Sequence, residues 1–267
     1  MIMNNPKIGQ RVLTTSAQLW FCVAFIGQWI FVYYIAALYI PILRNSGFAG
    51  LKDTHLPHGY VEGDLLGNLA IASHVLIAII VIGGGTLQLI PWIRNNFRAF
   101  HRYLGRTYVT SAMIASVAGL YLVWSRGVLG GLVGHIAISL DAILIILFGA
   151  IAVRYARQKN FPQHRRWALR LFMVVSAVWF FRIGLMSWFF FTGGIGIDQA
   201  TFTGPFISFI YFAQMFVPLL FLELYLKAGD SKSTGFKYTV AVLITVAAGV
   251  TAVGVGLATV GMWLPRV

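Results

Sequence analysis

Seven predominantly apolar stretches, at 17–41, 65–93, 103–125, 129–153, 168–192, 204–227 and 237–263, succeed one another along the chain with only short connections between them. A helix needs about 20 such residues to cross the hydrocarbon core of a bilayer. Each stretch is long enough, and the composition agrees: 59% of the residues are hydrophobic, 10% are charged and the mean hydropathy is +0.81, values that exclude an ordinary soluble domain. The expected fold is all-α, a polytopic integral membrane protein of seven transmembrane helices in a single membrane domain, 1–267, with no soluble module. The polar start from Met1 to Arg11 and the length of the first stretch do not fit a cleaved signal peptide, so that stretch is expected to remain as the first span.

The net charge of +13 follows the same topology. Arg94, Arg98, Arg102 and Arg106 surround the second connection, and Arg154, Arg157, Lys159, Arg165, Arg166 and Arg170 the fourth. Lys227, Lys232 and Lys237 surround the sixth. The alternate connections carry Asp53, Glu62, Asp64 and Asp198 with few cations. The positive-inside rule then places the amino terminus and the basic connections in the cytoplasm and Val267 outside. Each basic residue near the surface gains about 1 kcal/mol from anionic lipid head groups, which accounts for the charge without nucleic acid. Cys22, the single cysteine, leaves no internal disulfide and no cysteine-held iron–sulfur cluster.

An internal repeat organises the middle of the chain. One unit runs from His74 down an apolar span, through Asn96-Phe97, to His101-Arg102; the other runs from His135, through Asn160-Phe161, to His164-Arg165. The histidines within a unit are 27 and 29 residues apart, and Arg106 and Arg170 follow the second histidine of each. Two hairpins of equal orientation are related by an approximate two-fold axis along the membrane normal. Such an axis sets His74 opposite His135 and His101 opposite His164. At the helical rise, His74 and His135 lie about 13 Å and about 9 Å below the outer ends of their spans, whereas His101 and His164 sit at the inner boundary.

Two readings of these histidines stand side by side. Imidazoles paired across helices are able to ligate haem, giving one or two b-type haems within a four-helix core over 65–192, spans two to five. Arg102, Arg106, Arg165 and Arg170 would then pair with haem propionates, quinone oxygens or an anionic redox partner, and would favour the neutral imidazole that ligation requires. In the other reading, His74 and His135 are interhelical hydrogen bonders, and His101 and His164 anchor the chain at the head groups.

Two further intramembrane charges need partners. Asp141 and Arg182 lie at matched depths on adjacent spans, about 18 Å and about 15 Å from the outer ends, and are expected to form a buried ion pair, structural or tuning a cofactor. Glu223 is expected to pair with Lys227 one turn later. Gln28, Gln88 and Gln214 read as interhelical hydrogen bonders, and Gly83, Gly84, Gly85, Gly130 and Gly134 as sites of close helix approach or of a flat cofactor. The first outer connection contains Asp53, His55, His58, Glu62 and Asp64. These residue types bind zinc or copper, although Pro57 interrupts them and the spacing matches no established ligand pattern. No Gly-rich phosphate loop, serine nucleophile elbow or HExxH run is present.

The segment from His74 to Arg182 resembles a family of prokaryotic membrane proteins designated domain of unknown function 2306. The resemblance lies in His101-Arg102-x-x-Gly105-Arg106-x-Tyr108, in His164-Arg165-x-Trp167 followed by Arg170, in Gln88-x-x-Pro91 and in Arg182. The family implies a membrane protein and no activity. In layout the chain is also similar to the transmembrane di-haem cytochromes reduced by ascorbate, in which four consecutive helices supply two histidine pairs. It departs from them in placing His101 and His164 at the membrane edge and an aspartate below His135. The function expected first is transmembrane electron transfer by a cytochrome b-like oxidoreductase, with a quinone as a further cofactor. The alternatives are a cofactor-free transporter or lipid- or quinone-binding protein, and an anchor subunit docking through aromatic residues such as Trp179, Phe189, Phe190, Phe191 and Tyr211. An oligomer is compatible with all three.

Overall fold

The computed structural model describes residues 6–54, 56 and 58–267, and these are helical apart from short connections. Without water, a backbone in hydrocarbon must bond to itself, and a helix does this within one segment. The helices are α1 (Pro6–Ser46), α2 (Leu65–Gln88), the short α3 (Pro91–Asn96), α4 (Arg98–Arg126), α5 (Gly131–Arg157), α6 (Phe161–Val175), α7 (Ala177–Thr192), α8 (Pro205–Asp230) and α9 (Thr234–Ala258). Six of them are individually long and apolar enough to span a bilayer; α6 and α7, bent by 47° at Ser176, make the seventh when counted as one span. The chain is therefore an all-α, multi-pass membrane protein.

The bend has a local cause. Ser176 Oγ donates to the Phe172 carbonyl at 2.8 Å and accepts from Gln28 Nε2 of α1 at 2.9 Å. A serine bonded back to the preceding turn loosens the helical ladder, and a side chain inserted there bends it. The expected straight span over 168–192 is thus two helices, begun seven residues earlier at Phe161.

Packing runs α1 on α2, α2 on α4, α4 on α5, α5 on α6, α6 on α8, α8 on α7 and α9, and α9 back on α1, a closed circuit. The α1 stripe Ala24, Gln28, Phe31 and Ile35, spaced four, three and four residues, faces inward, with Trp179 of α7 and Val255 of α9 in the same core. Gly85 serves close approach: a Cβ there would stand 2.9 Å from the Tyr108 ring of α4.

At the end opposite the basic connections, a clasp joins α2 to α4. Asp64 caps α2 by accepting from the Gly67 amide at 2.9 Å, as an aspartate ahead of an apolar helix does. Arg126, its side chain 5% exposed, donates to Asp64 Oδ2 at 2.8 Å, to Asn68 Oδ1 at 2.7 Å and to the His58 carbonyl at 2.9 Å. The Asp64 carboxyl is held below the usual carboxylate range, first by the Gly67 amide and then by the guanidinium. Its folded value lies below its unfolded one, so its contribution to stability is present above the unfolded value and is lost as pH falls through the folded one. Arg126→Leu is expected to lower the melting temperature in detergent at neutral pH, and the gap to wild type should narrow below about pH 4; a gap independent of pH would contradict the clasp.

In the connection between α1 and α2, Asp64 is thus engaged by Gly67 and Arg126. Among the described residues no group of three or more His, Cys, Asp or Glu side chains is placed to hold an ion. His55 and Pro57 lie outside the described residues.

Candidate functional site

Of the four histidines, two come to one place. His101, in the first turn of α4, and His164, in the first turn of α6, line the same cavity of about 2400 Å³. His164 Nδ1 lies 2.9 Å from the Ala152 carbonyl of α5. A carbonyl only accepts, so Nδ1 carries a hydrogen, and the tautomer of a neutral ring is the one with Nε2 free to accept or ligate. His101 Nδ1 is buried and has no hydrogen-bond partner among the described residues. Its backbone is fixed by Gln88 at the end of α2, whose Nε2 donates to the His101 carbonyl at 3.1 Å. That contact passes over Gly105, where a Cβ would stand 3.0 Å from Gln88 Oε1. The spacing of Gln88, His101 and Gly105 in the sequence is thereby a single packing device.

The outer pair does not meet. His74 Nδ1 contacts the Ala115 carbonyl of α4 at 3.0 Å, with its ring beside Gly119. The His135 ring of α5 turns edge-on to Trp124 of α4, 5.5 Å between centroids, and its Nδ1 donates to the Gly131 carbonyl of α5 at 2.8 Å. Gly119 and Trp124 are about 140° apart around α4 at 3.6 residues per turn. The two histidines therefore lie on different sides of α4, which stands between them.

Nor does the expected ion pair form. Arg182 donates to the Val178 carbonyl of its own helix at 2.9 Å and lies over the Phe31 ring of α1, 5.1 Å from its centroid. It is Phe181, the neighbouring residue, that packs toward α8 and Tyr211. Asp141 shares a face of α5 with Ala137 and Leu144 against the α7–α8 core, and its Oδ1 is buried without a partner among the described residues. Arg182 is turned toward Phe31 of α1 and away from α5.

The arginines at the basic end of the bundle divide into two sets. Arg170 forms a bidentate pair with Glu223 of α8, at 2.7 and 3.0 Å, and stacks over Trp167. It therefore does not line the cavity, and Glu223 pairs with it and not with Lys227. Arg166 pairs with Asp230. These pairs occupy both carboxylates at this end of the bundle. Arg94, Arg98, Arg102, Arg106, Arg157 and Arg165 all line the cavity mouth, are exposed and have no carboxylate partner among the described residues. Arg102, Arg106 and Arg165 were among the expected site residues; Arg94, Arg98 and Arg157 were legible only as charge that follows topology.

The remaining polar expectations also divide. Gln28 and Gln88 bond between helices, while Gln214 bonds to the Tyr211 carbonyl of its own helix. Gly130 and Gly134 make room for Tyr211, whose hydroxyl donates to the Leu129 carbonyl.

A family model described as Predicted membrane protein (DUF2306) matches residues 71–217. No curated protein and no solved structure matches the chain. The match covers more than half of the chain and contains all four histidines, and the chain belongs to that family.

Proposed function

We propose that this membrane protein is cytochrome b-like, with one b-type haem at the basic end of its bundle between His101 and His164, and that it exchanges electrons there. One arrangement carries the reading: two imidazoles from different helices line one cavity whose mouth holds arginines without carboxylate partners. The residues fit the group. His164 presents Nε2 because the Ala152 carbonyl holds its Nδ1 hydrogen, the support usual for a metal-ligating histidine. The buried, unpartnered His101 Nδ1 marks a ring whose surroundings within the chain leave it incomplete. Arg102, Arg106 and Arg165 would hold the propionates, and Leu169, Leu171 and Phe172 of α6 would exclude water from the ring edge.

Bound there, haem would be held by His101 and His164 and would supply one-electron chemistry. Gln88 holds the first turn of α4, and so the His101 side of the site, in place through the His101 carbonyl. The separation of His74 from His135 by α4 argues for one haem in place of two, and for electron exchange at one face of the membrane.

The test is the visible spectrum of the protein expressed with ample haem, before and after dithionite. A sharp reduced α-band is expected, lost in His101→Ala and in His164→Ala and kept in His74→Ala. A colourless wild-type preparation would overturn the reading and leave the cavity to a cofactor-free transporter or binding protein.

A further inference from the structure

The cavity is larger than the proposed haem requires. Small-molecule sites usually measure about 300–1,000 Å³, against about 2400 Å³ here. From the arginines the lining continues along Trp20, Phe180, Phe221 and Phe209 to Trp188, near the far end of α7. It also opens sideways: Val246 and Val250 of α9 line it, yet are 59% and 64% exposed. A space with a cationic mouth, an apolar interior and a flank open to the hydrocarbon is complementary to an amphiphile with an anionic head.

We infer that the cavity binds an anionic phospholipid entering from the bilayer, its phosphate held by Arg94, Arg98 and Arg157 and an acyl chain laid along the aromatic corridor. These three arginines lie on α3, at the start of α4 and at the end of α5, so a head group bound among them would bridge three elements. They are distinct from the three assigned to haem propionates, and neither carboxylate at this end of the bundle is free to neutralise them. The inference concerns a lipid held inside the bundle, separate from the general attraction of basic connections to a membrane surface.

The test uses the full chain in neutral detergent and phosphatidylglycerol with brominated acyl chains, which quench nearby tryptophans such as Trp20 and Trp188. Saturable quenching is expected, much weaker with brominated phosphatidylcholine. Removing three cations by Arg94→Gln, Arg98→Gln and Arg157→Gln together should weaken phosphatidylglycerol on the order of a hundredfold at low salt. Ala213→Phe, in the corridor wall, should abolish the saturable component while the helical circular dichroism stays. Equal quenching by both lipids, an unchanged triple variant, or saturable quenching that survives Ala213→Phe would overturn the inference. Displacement of the lipid by inorganic phosphate at matched ionic strength would also overturn it, reducing the site to a phosphate ion site. The inference does not depend on haem: His101→Ala should keep the quenching even as it loses any α-band.

Discussion

Ser176→Ala is expected to destabilise the protein in detergent by about 1–3 kcal/mol, the cost of leaving a buried polar group without its partner. Gln28 is 1% exposed, and its Nε2 has the Ser176 hydroxyl as its one hydrogen-bond partner, while its Oε1 already has none. Removing the hydroxyl strands the whole amide in an apolar core and also removes the bond to the Phe172 carbonyl that holds the bend. Replacing both groups, with Gln28→Leu and Ser176→Ala together, should recover part of the loss, since apolar groups of similar shape leave nothing unsatisfied. The check is thermal unfolding of the two single variants and the double. Additive losses in the double variant would show that the bond does not link α1 to the α6–α7 break.

That break shows where sequence reasoning stopped. The seven apolar stretches were legible because the bilayer imposes a length on every span. A serine within such a run carries no comparable mark. It is compatible with a straight helix, and only the arrival of Gln28 from a span nearly 150 positions away, at 2.9 Å, gives it a role.

The histidines and the two buried charges show the same division between depth and direction. Depth along a helix is readable at about 1.5 Å per residue, and on it rested the expectation of His101 with His164 at one boundary and Asp141 level with Arg182. Direction around the helix advances about 100° per residue and depends on which neighbours the helix meets. Those neighbours are fixed by tertiary packing, so His74 and His135 reach different sides of α4, and Arg182 faces Phe31 in place of Asp141. Where a short motif spans two adjoining helix ends, as with Gln88, His101 and Gly105, direction is constrained locally, and there the sequence pattern and the geometry coincide.

The absence of the ion pair reverses the sign of one expected effect. Were Asp141 paired with Arg182, replacing it would strand a buried cation and destabilise by about 3–5 kcal/mol. With Oδ1 buried and unpartnered, Asp141→Leu instead removes an unsatisfied polar group and extends the apolar face of Ala137 and Leu144. The expected result is a gain of about 1–3 kcal/mol, the cost usually assigned to one such group. Arg182→Leu, which loses its contact with Phe31 and its bond to the Val178 carbonyl, should act independently. A double-mutant cycle of Asp141→Leu and Arg182→Leu should therefore give a coupling within about 0.5 kcal/mol of zero, as for residues that share no partner. A coupling of several kcal/mol would restore the ion pair. A stabilised Asp141→Leu protein that had also lost its electron exchange or its lipid binding would show that the unsatisfied carboxyl is kept in the bundle at the expense of stability for the sake of that activity.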